Sequence, residues 1–386
     1  MAEYLGDALF ELRANVLPLR RGMLEAERIA AMSTRRIEGT LAQHSARVSQ
    51  GLSQMGSNLT NTVTLPILGI GIASGKMAMQ FSRSMELIHT QAGASQREVD
   101  KLSKQVLALA KTVPYGPTPL ADALYHLESI GLRLNKRFEQ SGLAIRKQIP
   151  LMKVLKVAAE GAAVGGSNLE QTTTALGSAW LSGIKGANDL GKTMGTLNAI
   201  VGTGNMRMQD LVTALGTGIL PMAKLAGLSL RDVGAALAVF SDQGYPAYSA
   251  ATQMATALHY LYDPTKKADV ALQGIGISST QMAQDMHKPE GLLMALSDLK
   301  AHLDRLPGGV HGVKAEQIIG DIFPAGRGRV MNVLMDQLTN YQAKLKQVTH
   351  NQNQFAEDWK RTQEQPAIRL QQAWATLQSD MVTFGA

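Results

Sequence analysis

No cysteine occurs in the 386 residues, so disulfide staples and thiolate metal sites are excluded, which fits a reducing site of synthesis. Aromatic residues amount to only 5% and charged residues to 18%, too little charge for a coiled coil exposed along its whole length. Alternating β-branched residues are nearly missing as well, which argues against a sheet. The most apolar run, Thr62–Ala73 (TVTLPILGIGIA), falls short of the roughly 20 residues a spanning helix needs and carries Pro66, Gly69 and Gly71. A secretory leader is not expected, because Glu3 and Asp7 stand where such a segment would be basic.

What the sequence does have is small and adaptable. Its 37 glycines, 19 methionines and many alanines describe close-packed helices meeting through small residues, with Met filling irregular gaps. The net charge of +7 permits contact with DNA or anionic lipid. The basic residues are scattered, however, apart from Arg20-Arg21, Arg35-Arg36, Lys266-Lys267 and Arg327 with Arg329. They read as solvated helix faces.

Taken in order, the chain divides into four parts. Residues 1–60 read as an elongated helical arm: Leu5, Leu9, Leu12, Val16, Leu19 and Met23 follow the four-three spacing of a heptad seam, with a kink expected at Pro18. The seam resumes through Ile37, Leu41, Val48, Met55 and Leu59. Such a stripe must be buried, either on the chain's own core or against other copies of the chain. Residues 61–79 are an apolar connector, in which Leu65, Ile67, Leu68, Ile70 and Ile72 would make any membrane contact. Residues 80–345 read as a compact multi-helix core and 346–386 as a C-terminal extension of long amphipathic helices. The fold class is all-α.

Within the core, start and stop signals are frequent. Ser95 with Glu98, Ser167 with Glu170 and Ser229 with Asp232 predict capped helix starts, and Ser278 with Gln281 a fourth. Thr118 and Pro119 are expected at the N-cap and first helical position, and Pro289 at another first position. Residues 132–141 read as an inserted basic loop or helical turn. Met331, Leu334, Met335, Leu338, Tyr341, Leu345 and Val348 predict one long amphipathic helix leaving the core.

No stretch of the sequence assembles a reactive constellation. Gly69, Gly71, Gly75 and Lys76 imitate a phosphate loop, but Ile70 and Met77 stand where glycine and Ser or Thr are needed, and no strand precedes them. Ser182 and Lys185, with Ser241-Asp242, have the spacing of serine-lysine acyl transferases; Ser297 and Lys300 match equally well, as a chance pattern would. The eight histidines, among them His89, His126 and His259, make no i, i+4 pair, and Asp285 and Glu357-Asp358 read as solvated. No catalytic, cofactor-binding or metal-binding residue and no small-molecule substrate is expected.

One stretch organises the rest. Residues 227–277 (GLSLRDVGAALAVFSDQGYPAYSAATQMATALHYLYDPTKKADVALQGIGI) run as helix, glycine turn at Gly244, helix, Asp263-Pro264 break, helix, then a Gly-x-Gly turn. This order resembles the core region of bacteriophage tail tape-measure proteins. The likeness extends to 76–93 (KMAMQFSRSMELIHTQAG), 161–169 (GAAVGGSNL), 200–224 and Ile322-Phe323, with Pro324 departing from the family's usual Phe-Gly step. It covers roughly residues 60–340, as glycine and small-residue punctuation. The resemblance implies a virion protein made in the bacterial cytoplasm, lying in the tail lumen as a ruler of tail length and leaving at genome ejection. It also implies partners: copies of itself, the tail tube protein, tail-assembly chaperones, distal-tail and baseplate proteins, and the DNA end or host membrane during ejection. A membrane-active helical protein acting through 62–73 is the alternative. A hydrolase using Ser182 and Lys185 is a distant third.

Overall fold

The computed structural model describes residues 67–140, 151–324 and 328–385, with side chains from 74 to 129, 151 to 324 and 328 to 385. The arm seams of 1–60 and Leu65 lie outside the described residues. So do the side chains of Ile67, Leu68, Ile70 and Ile72.

Regular structure among the described residues is helical. The first helices are α1 (Ile67–Thr90), α2 (Gln96–Ala110), α3 (Pro117–Gln140), α4 (Leu151–Gly165), α5 (Leu169–Ser182) and α6 (Leu190–Thr203). Then come α7 (Met208–Ala214), a π-helical turn over Leu215–Ile219, and α8 (Leu220–Leu225). They are followed by α9 (Leu230–Asp242), α10 (Ala247–Tyr262), α11 (Lys266–Gly274), α12 (Ser279–Met286) and α13 (Gly291–Leu303). The chain continues through α14 (Val313–Ile322), α15 (Arg329–Asp336), α16 (Leu338–Asn351), α17 (Phe355–Glu364) and α18 (Pro366–Gly385). Extended backbone pairs only as an isolated parallel bridge between Lys185 and Ser229 among these residues.

Helix α9 is the centre. Of its 13 residues, Leu230 and everything from Asp232 to Ser241 are buried, so it has no solvent face of its own. A helix covered all round must offer small residues to its neighbours. Gly234, Ala235, Ala236 and Ala238 do so, and a Cβ on Gly234 would overlap Cδ1 of Ile200 on α6. The helix begins in a buried capping box. The Ser229 backbone N–H donates to the Asp232 carboxylate at 2.7 Å, and the Asp232 N–H donates to Ser229 Oγ at 3.3 Å. It ends where expected, with Gly244 at φ 76° and Tyr245 N–H returning to the Phe240 carbonyl at 3.0 Å. Helices α6, α10, α15 and α16 surround it.

Several local expectations are corrected. Asn168, not Ser167, caps α5, accepting from Gln171 N–H at 3.2 Å, while Ser167 Oγ bonds Thr172 Oγ1 at 2.8 Å. Helix α3 starts at Pro117, one residue before the expected cap at Thr118; either proline suits a first turn, where its missing N–H costs nothing. The same helix runs unbroken through Gly131 to Gln140, so 132–140 are helical. Helix α13 starts at Gly291 after Glu290, which takes a left-handed φ of 56°, so Pro289 lies before the helix. The long helix expected over 331–348 divides at Gln337 into α15 and α16, and it does not leave the core. Tyr341 and Val348 are fully buried, with α16 lying on α9 and α6. No glycine or proline marks that division, and both halves pack on α9.

The C-terminal helices return to the body. Helix α17 packs on α4 and α6, and α18 lies along α1 and against α2. Ser379 Oγ donates to the Leu107 carbonyl at 2.9 Å, and Lys111 holds Asp380 at 2.8 Å.

Candidate functional site

Of the side chains that mimic catalytic signatures, Ser182 and Ser241 are engaged in closing the fold. Ser182 sits at the last turn of α5, where its Oγ donates to the Ala179 carbonyl at 2.6 Å and accepts from Ile184 N–H at 3.2 Å. Lys185 contributes its backbone carbonyl, which accepts from Leu230 N–H at 2.9 Å. Ser297 is exposed on α13 and Lys300 pairs with Asp304 at 3.3 Å. Gly69, Gly71, Gly75 and Lys76 all fall inside α1, so they form no loop.

Ser241 and Asp242 belong to a connected polar point of the core, which spacing alone did not reveal. Ser241 Oγ donates to the Ala238 carbonyl at 2.8 Å and accepts from Asn205 N–H at 3.0 Å. Lys344, on α16, reaches the Asp242 carboxylate at 2.6 Å and donates to the Thr203 carbonyl at 2.7 Å. One turn earlier Tyr341 donates to the Asp232 carbonyl at 3.2 Å, and burial holds its phenol well above the ordinary tyrosine pKa. The ends of α6 and α9 and the middle of α16 are thus tied at one junction. It has the chemistry of a structural knot.

The isolated histidines stay isolated. His126 meets Glu170 at 2.8 Å, His89 Nδ1 lies 2.7 Å from the Ala94 carbonyl, and His259 stacks obliquely on Tyr260. Asp285 takes Lys288 at 2.6 Å and Gln281 at 3.0 Å, contacts that lower its pKa. Glu357 pairs with Arg361 at 2.6 Å. No group of three or more potential metal ligands occurs among the described residues. A cavity of about 480 Å³ opens beside α12, with Tyr262, Pro264 and His287 in its wall. Within that wall His287 Nδ1 lies 2.9 Å from the Ala283 carbonyl.

What the arrangement offers is therefore a packed helical body, and comparison with known proteins says what kind. Residues 103–323, from α2 to the end of α14, match the family of phage-related minor tail proteins. The chain belongs to that family. A curated relative, the tape measure protein of Pneumococcus phage Dp-1, is 24% identical over 254 residues, covering 66% of this chain and 20% of the relative. The chain thus spans about a fifth of that protein's length. No solved structure matches.

For a minor tail protein the described helices are informative in one further respect. None of them is long and apolar enough to cross a membrane. The family match also includes α9 with its buried capping box, the stretch on which the sequence resemblance rested.

Proposed function

We propose that this chain is the helical part of a tail tape measure, a structural ruler that lies in the tail lumen, limits tube polymerisation by its length and leaves with the genome. The match over 103–323, together with the tape-measure relative, carries this reading. Length does the work in such a device: fully helical, a chain of this size reaches on the order of 600 Å at about 1.5 Å per residue. No step of that role needs a catalytic group, a cofactor or a small-molecule substrate.

The partners follow from the role. They are the tail tube protein that surrounds the ruler, the chaperones that coat it during assembly, the distal-tail and baseplate proteins that anchor it, and further copies of the chain. The division into a 1–60 arm, a 61–79 connector, an 80–345 core and a 346–386 extension belongs to the same proposal. The membrane-active alternative is disfavoured by the lack of a spanning helix among the described residues.

The test uses virions of the phage that encodes the chain. Antibody to the 103–323 region should detect it in intact tails and find it depleted after ejection is triggered. Detection only in cell lysate, with none in purified tails, overturns the proposal.

A further inference from the structure

Helix α18 has two apolar faces, and the body of the protein uses one. Ala375, Ser379 and Val382 are buried, and this side carries the bonds to Leu107 and Lys111. A second line, Leu370, Trp374, Leu377, Met381 and Phe384, repeats at intervals of four and three, the spacing of a coiled-coil seam. Met381 dips into the core at 7% exposure, but Leu370, Trp374 and Phe384 are 41%, 46% and 37% exposed. Leu377 is half-buried, so the exposed parts of the stripe among the described residues are Leu370 with Trp374 at one end and Phe384 at the other.

We propose that this stripe is the docking seam for residues 37–59 of the same chain. Helix α18 ends beside the start of α1: a Cβ on Gly385 would lie 2.7 Å from the Ser74 carbonyl oxygen. The N-terminal end of α1 therefore lies toward the Phe384 end of the stripe. Residues 60–66 reach up to about 25 Å when extended, enough to turn and lay the preceding segment alongside α18. That segment carries Ile37, Leu41, Val48, Met55 and Leu59, spaced by four, seven, seven and four, so one helical face holds them all. As a helix it spans roughly 33 Å, against about 21 Å from Leu370 to Phe384, so it covers the stripe from end to end.

Tethering selects this occupant over a second copy. A short linker holds its segment at an effective concentration on the order of millimolar, which a free second chain does not approach at micromolar concentration. The inference rests on the fold and not on the ruler role.

Trp374 is the reporter, since the sequence has only two other tryptophans, Trp180 and Trp359. In the full chain carrying W180F and W359F, Trp374 should emit to the blue, resist acrylamide and do so in a monomer at every dilution. Adding L41E and V48E should shift emission to the red and raise quenching severalfold. The thermal transition followed by circular dichroism checks that both proteins keep the folded body. Trp374 open to quencher before L41E and V48E are added overturns the proposal, as does quenching that these substitutions leave unchanged. Shielding that disappears on dilution together with a dimer also overturns it, and assigns the stripe to a second copy.

Discussion

Lys344 places its ammonium 2.6 Å from the carboxylate of Asp242 although only 6% of the lysine is exposed. The same nitrogen satisfies the Thr203 carbonyl at the end of α6, so one side chain joins three helices. Asp242 keeps about a third of its side chain in solvent, which moderates the cost of losing its partner. Lys344→Ala should lower stability by about 1–3 kcal/mol, mainly through the orphaned carbonyl and the cavity left behind. Chemical denaturation of the wild type, both single variants and the K344A/D242A double variant measures it. The double variant should lose less than the sum of the singles.

The contact of Gly234 with Ile200 gives a second prediction. Alanine at 234 improves helix propensity, but its methyl meets Ile200, which is fully buried. Gly234→Ala should therefore destabilise by about 1–3 kcal/mol. Ile200→Val removes Cδ1 but keeps Cγ1, which the added methyl also meets, so G234A/I200V should recover only the part of the loss that Cδ1 causes. Equal stability of G234A and its rescued form would show that the crossing tolerates the added methyl.

A third prediction concerns pH. Burial pushes the Glu128 carboxyl up, and the Glu98 carboxylate adds to it; burial also raises Glu160, against a smaller opposing effect of Lys156. A raised carboxyl binds its proton more tightly in the folded chain than in the unfolded one. The stabilisation is present below the unfolded pKa and is lost as pH rises through the folded one. Glu128→Gln and Glu160→Gln should raise the melting temperature at pH 7, with the gain shrinking on acidification toward pH 4. Glu98 has the opposite sign, because its bonds to the Ser95 N–H and hydroxyl lower its pKa. Its contribution is present at neutral pH and fades as pH falls through the lowered value, so Glu98→Gln should cost stability at pH 7.

These residues also mark what was legible in the sequence. The capping boxes at Ser95–Glu98 and Ser229–Asp232, the glycine stop at Gly244 and the Asp263-Pro264 break involve partners within a few residues, and local pattern finds them. Asn168 and Glu290 show the limit of that method: two cap-forming types stood side by side at one, and a left-handed non-glycine residue carries no sequence mark at the other. Lys344 and Gly234 were out of reach, since their meaning depends on residues far along the chain. Lys344 stands between Tyr341 and Leu345 in an apolar repeat and reads from sequence as a solvated helix residue. The α18 stripe was only half visible: the amphipathic pattern of 346–386 includes Leu370, Trp374 and Leu377, while the second face, against α1 and α2, needed the fold.

Tail length is the quantity the account turns on. In-frame insertions of helix-forming sequence of increasing length, placed in this chain in its own phage, should lengthen the tails seen by electron microscopy in linear proportion. A slope near 1.5 Å per added residue is expected if the insert is helical in the lumen. Tails of unchanged length, on virions that still incorporate the lengthened chain, would contradict the ruler.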